Sequence, residues 1–148
     1  MSRSPTKQRK QLERVTRVKE RVRDVKRASL AQASRKREDA EDLAQQASLA
    51  FARAVDRLTG DEELSAGELM GRSMEIDSER RRRVEAEEQV SQRRLEEQEK
   101  SGEVARATGE MKALVRKRGE LMKLERRARD RAEQMLLDEA AARIGGKR

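Results

Sequence analysis

The chain has no cysteine, histidine, tryptophan or tyrosine, one phenylalanine and one proline, Pro5. Without cysteine there is no disulfide framework and no thiolate site. Without histidine or cysteine, zinc sites and the common nucleophile–base pairs are missing. No GxxxxGK(S/T) phosphate loop is present, so ATP hydrolysis by that route is not expected. Leucine, isoleucine, valine and phenylalanine are scarce, and much of the apolar count is alanine, which buries little area. A compact core is therefore not expected. No apolar run approaches a membrane span. The basic start, MSRSPTKQRK, has no apolar stretch behind it, as a secretory signal requires. A soluble, intracellular protein is expected.

What remains is charge and rhythm. Of 148 residues, 45% are charged and 34% hydrophobic. Such a balance also suits disorder. Richness in Ala, Glu, Lys, Arg and Leu at helical spacing points instead to long helices. Proline is the strongest helix breaker and glycine the next. The rhythm is clearly interrupted once, at Thr59-Gly60-Asp61. The expected architecture is one domain over 1–148. Helix one covers about 6–58, a short irregular or helical tip about 59–73, helix two about 74–144, and a flexible tail 145–148.

In helix one, Val15, Val18, Val22 and Val25 form a three-four stripe, and Ala40, Leu43, Ala47, Ala50 and Ala54 form a second. Leu30 and Ala33 are out of phase with the first run, which predicts a stutter. Gly60 suits a left-handed C-terminal cap. Ser65 with Glu68 three residues on predicts a capping box. In helix two, Val84, Ser91, Leu95, Gln98, Gly102 and Ala105 make a poor seam. Met111, Leu114, Leu121, Ala128, Ala132, Met135 and Ala142 make a better one, interrupted by Arg118, Glu125 and Glu139. Folding back at the break would set the valines near Leu121 to Met135, with the best packing there, and either helix two overhangs or the stretch after the break loops out. The weak middle of helix two, about Glu85 to Gly109, would open first.

The net charge of +8 is uneven. Residues 1–37 hold fourteen Lys/Arg against three Asp/Glu, residues 38–79 three against twelve, and residues 80–148 twenty against fourteen. Both ends are basic and the middle is acidic. Two basic segments side by side repel, so an acidic partner for that end is expected. Arg80-Arg81-Arg82-Arg83 is the densest basic run, but Glu85, Glu87 and Glu88 follow it and stacking aromatics are missing. It reads as a solvated helix face. A basic-zipper arrangement fails because valine and alanine replace leucine in the seam. The acidic pairs Glu62-Glu63 and Glu87-Glu88 lack an apolar pocket, and the loop from Gly60 lacks the alternating ligands of a calcium site. No cofactor or metal is expected. Phe51 is either a core knob among alanines or an exposed anchor, with Met74 across the turn as its companion.

Leu12-Glu13-Arg14-Val15-x-x-Val18, a break, a longer second helix, and Glu125-Arg126-Arg127 leading to Glu133-Gln134-x-x-x-Asp138-Glu139-x-Ala141-x-Arg143 together resemble the FliJ family of flagellar export proteins. Their injectisome counterparts, the YscO/SctO group, are similar. The resemblance covers nearly the whole chain. It implies an all-α fold, a long antiparallel two-helix coiled coil like the central stalk of rotary ATPases. It implies a non-enzymatic coupling component, monomeric when free, cytoplasmic and peripherally associated with the inner-membrane export machinery. The partners implied are the hexameric export ATPase, the cytoplasmic domain of the export gate and export chaperones, with no specific nucleic acid. ATPase contacts would fall on Val15, Val18, Arg21, Val22, Arg126, Arg127, Gln134, Asp138 and Glu139. Gate contacts would fall on Leu43, Ala47, Phe51 and Met74, although this chain has almost no aromatics where the family presents them. The alternatives are a basic coiled coil associated with nucleic acid, and a generic scaffold.

Overall fold

A computed structural model describes residues 4–60 and 63–146. Two helices account for nearly all of them, and no strand occurs among the described residues. The first, α1, spans Pro5–Thr59, and the second, α2, spans Ala66–Gly145. The two long helices pack against each other. Asp61 and Glu62, within the expected break, and Lys147 and Arg148, in the expected tail, lie outside the described residues.

The helix ends follow from local chemistry. Pro5 opens α1, where its missing N–H is no loss and its fixed φ suits the helix. The Ser4 carbonyl accepts from the Lys7 and Gln8 amides at 2.9 and 3.1 Å. At the other end the left-handed cap expected at Gly60 does not form, because no described glycine has positive φ. Side chains take the orphan carbonyls instead. The Thr59 hydroxyl donates to the carbonyls of Val55 (3.2 Å) or Asp56 (3.3 Å). The Arg72 guanidinium donates to the Arg57 carbonyl, fastening the start of α2 onto the end of α1.

The capping box at the start of α2 is present. The Glu68 amide donates to Ser65 Oγ, and the Ser65 amide donates to Glu68 Oε2, each at 3.2 Å. With its first turn fixed, α2 begins at Ala66 and runs unbroken through Gly67 and Gly71. The expected tip of 59–73 therefore contracts, since 66–73 belong to the helix. One glycine costs only about 1 kcal/mol in a helix interior, so two do not stop an 80-residue helix.

The chain divides into two units, Val25–Val104 and Met1–Asp24 with Ala105–Arg148. In the first, the covered positions of α1 include one row, Lys26, Leu30, Ala33, Arg37, Ala40, Ala44, Ala47, Phe51, Ala54 and Leu58, each three or four residues from the last, flanked by Ser29, Ser34, Glu41, Ala50 and Val55. A row on α2 with the same rhythm is Arg72, Ile76, Glu79, Arg83, Ala86, Val90, Arg93, Glu97, Lys100 and Val104, flanked by Glu75, Ser78, Gly102 and Glu103. Ala33, Ala40, Ala54, Ile76 and Val90 are the buried apolar groups. The paired residues run in opposite order: Arg37 with Glu97, Glu41 with Arg94, Arg57 with Glu75.

In the second unit, α1 covers Arg9, Leu12, Thr16, Lys19 and Arg23. From α2 come Ala107, Met111, Leu114, Arg118, Leu121 and Glu125. Thr16, Ala107 and Met111 are buried, and Thr16 Oγ1 satisfies itself on the Leu12 carbonyl at 2.8 Å. Arg9 pairs with Glu125 at 3.1 Å and Lys19 with Glu110 at 2.8 Å, again in opposite order.

Three expectations are corrected by these positions. The valine stripe is not the seam, for Val15, Val18, Val22 and Val25 are all exposed, Val25 to 70%. Leu30 and Ala33 are out of phase with the valines because they, unlike the valines, lie on the covered row with Arg23 and Lys26, so no stutter is needed. On α2, Val84 and Leu95 face outward while Arg83, Ala86, Val90 and Glu97 are covered. A shared physical reason is that Lys and Arg at covered positions bury aliphatic stems. Their heads reach a carboxylate on the facing helix (Arg9, Lys19, Arg37) or on their own (Arg23, Arg83, Arg93), so hydropathy alone points to the wrong face. The Met111, Leu114, Leu121 register of α2 matches the covered positions. Beyond Glu125, however, every residue from Arg126 to Gly146 is exposed, so Ala128, Ala132, Met135 and Ala142 have nothing packed on them.

Candidate interaction surfaces

Three surfaces carry the sequence-derived site residues. The first is the flank of α1 bearing Val15, Val18 and Val22, with exposures of 41, 60 and 41%. Arg21, also exposed, lies on the same turns. Val15 lines a shallow groove of about 360 Å³ with Gln8, Gln11, Leu12, Lys117 and Leu121. Of the valines, Val15 thus neighbours Leu121, while Met135 is exposed. The groove combines an apolar floor with a cation, which suits a protein side chain better than a small polar ligand.

The second surface is the last stretch of α2. Arg126 lines a groove of about 360 Å³ with Arg9, Met122, Glu125, Arg129 and Asp130. Gln134 Nε2 donates to Asp138 Oδ1 at 3.0 Å, one turn further along the helix. Arg127, Gln134, Asp138 and Glu139 are exposed. Val15 and Arg126 line different grooves and Gln134 lines neither, so the candidate ATPase contacts do not form one constellation.

The third surface surrounds Phe51. Its ring is half-buried at a seam position, with the Arg83 guanidinium 4.6 Å and that of Arg80 5.9 Å from its centroid. Those are cation–π distances. The aromatic is a seam residue capped by arginines. Ala47, one turn back, is also on the seam, whereas Leu43 and Met74 are exposed. Leu43 lines a groove of about 290 Å³ with Lys36, Asp39, Ala40, Ala86, Gln89 and Arg93. The ion pairs of the four-arginine run lie within its own helix. Arg80 pairs with Asp77, Arg82 with Glu79 and Arg83 with Glu87, while Arg81 Nε donates to the Asp77 carbonyl.

Sequence reasoning missed a polar cluster in the middle of this unit. Arg37 lies 2.7 Å from both Glu41 and Glu97, Glu41 also takes Arg94 at 3.0 Å, and Ser34 Oγ donates to Glu97 at 2.6 Å. Arg37 Nε approaches Glu97 off the hydrogen-bond line, so the contact is ionic rather than a directed bond. The hydrogen bond from Arg94, with the Arg37 charge behind it, holds the Glu41 carboxyl below the ordinary range despite desolvation. Burial works against the Arg37 charge, but Glu41 and Glu97 outweigh it and push the guanidinium pKa up. The signal available in sequence was Arg37 followed by Glu41 at i,i+4 spacing.

Among the described residues no group of acidic side chains is arranged to hold a metal ion, and no helix is long and apolar enough to cross a membrane. The chain matches no family model, no curated protein and no solved structure.

Proposed function

We propose that this chain is a coupling stalk of a bacterial type III protein export apparatus, flagellar or injectisome, built as an antiparallel two-helix coiled coil. It does no chemistry of its own. Its basic end, where the chain starts and finishes, enters the hexameric export ATPase, and the region of Phe51 and Met74 meets the cytoplasmic domain of the export gate. Export chaperones are further partners, and the stalk works in the cytoplasm against the inner-membrane machinery.

The observation that carries this reading is the pairing order. Within each unit the pairs run in opposite order, Arg9 with Glu125 and Lys19 with Glu110 in one, Arg37 with Glu97 and Arg57 with Glu75 in the other, as a stalk of this kind requires. The exposed valines with Arg21, and the exposed basic stretch from Arg126, supply contact surface. Co-purification with the cognate export ATPase and gate domain tests the proposal. Retention of the ATPase by the wild-type chain, and its loss in V15D/V18D/V22D with helix content unchanged, is the expected result. No retention by the wild-type chain rejects it.

The charge of +8 favours one other reading, association with nucleic acid. Binding to arbitrary DNA that falls steeply with salt would support it. The occupied arginine run argues against it.

A further inference from the structure

The stretch of α2 after Glu125 is a preformed helix with an uncovered apolar row. Ala128, Ala132 and Met135 continue the register of Met111, Leu114 and Leu121, and Leu136 widens the row. Met135, Leu136 and Leu137 are 63–65% exposed. An isolated helix of this length is marginal in water. Here it extends directly from turns held by Met111 and by the Arg9–Glu125 pair, so little ordering cost remains on binding.

Its charges are polarised. Residues 126–131 carry Arg126, Arg127, Arg129 and Arg131 against Asp130 alone. Residues 133–139 carry Glu133, Asp138 and Glu139 and no base. Among the described residues none of the four arginines holds an ion pair, and the acidic half shows only the Gln134–Asp138 hydrogen bond.

We propose that this stretch pairs with the same stretch of a second copy, antiparallel, about a two-fold axis between Ala132 and Met135. That placement keeps the apolar row in register, setting Ala132 against the partner's Met135. It also sets the basic half of each copy on the acidic half of the other, Arg129 opposite the partner's Asp138. A two-fold contact must be self-complementary, and a helix basic in one half and acidic in the other meets that condition only head to tail. Parallel pairing would lay arginines on arginines. The inference departs from the monomeric state expected from sequence and does not depend on the export reading. In that reading, a self-paired chain has Arg126, Arg127 and Asp138 covered.

Sedimentation of the full chain from about 1 µM to about 1 mM tests it, since weak interfaces of this size fall in that range. A monomer–dimer equilibrium that weakens with salt is expected. R129E/R131E and D138K/E139K should each weaken it about tenfold or more, because like charges then face across the axis. The combined variant R129E/R131E/D138K/E139K restores complementarity and should recover the wild-type dimer. M135D should abolish the dimer through the apolar row. Far-UV circular dichroism checks that helix content is retained. A monomer at all concentrations overturns the proposal. So does a dimer indifferent to these substitutions, or a combined variant that keeps its helix and stays monomeric.

Discussion

Arg37 Nε lies 2.7 Å from Glu97 Oε2, joining α1 to α2 at seam positions that a leucine would ordinarily fill. The same carboxylate accepts from Ser34, and the same guanidinium reaches Glu41, which in turn holds Arg94. A seam with little apolar mass is thereby given a polar cross-link whose register is specific, because a slip of one turn separates every partner.

The Glu41 carboxyl is held below its ordinary value of 4.5, first by the Arg94 hydrogen bond. A group whose folded pKa is depressed contributes stability above the unfolded pKa and loses it as pH falls through the folded value. Wild-type protein should therefore lose thermal stability on acidification from below about pH 4.5. E41Q should start lower at pH 7 and show a shallower loss, with the two curves converging in acid. Melting temperature against pH checks this; parallel curves would contradict it.

Phe51 should act as a packing residue. F51A is expected to destabilise by about 2 kcal/mol, less than a fully buried ring would. F51L keeps the apolar contact and loses the arginine–ring attraction, for about 0.5–1 kcal/mol. Urea denaturation midpoints separate the two.

The covered face can be tested by contrasting substitutions. M111A removes a buried side chain and should cost about 2 kcal/mol or more. V18A, on the exposed flank, should stay within about 0.5 kcal/mol of wild type. If V18A were the more costly, the valines would be the seam after all.

Ser65→Ala should cost about 1 kcal/mol by freeing the Glu68 amide. The damage should stay local. Amide exchange should quicken in the first turn of α2 and remain slow at Val90.

Much of this architecture was legible in the sequence, and the failures share one cause. Missing proline gave two helices. Ser65 and Glu68 gave the cap, and Met111, Leu114 and Leu121 the covered register of α2. The α1 seam was misread because its turns near the start of the chain carry Arg9, Thr16, Lys19 and Arg23, while valines stand beside them. Charged seam residues become visible only with their partners, Glu125 and Glu110, which lie about a hundred residues away in sequence. Gly60 misled for a related reason: Thr59 and Arg72 do the capping, and the second of these is supplied by the other helix. The Phe51 anchor could not be told from a core knob until Arg83 appeared over its ring.

The most direct measurement on the central claim is ATP hydrolysis by the cognate export ATPase titrated with the purified chain. As a coupling stalk, the wild-type chain should raise the rate or promote hexamer formation, saturating near one chain per ring, and V15D/V18D/V22D should not. An ATPase whose rate and assembly are unchanged at any concentration of the folded chain would contradict the account.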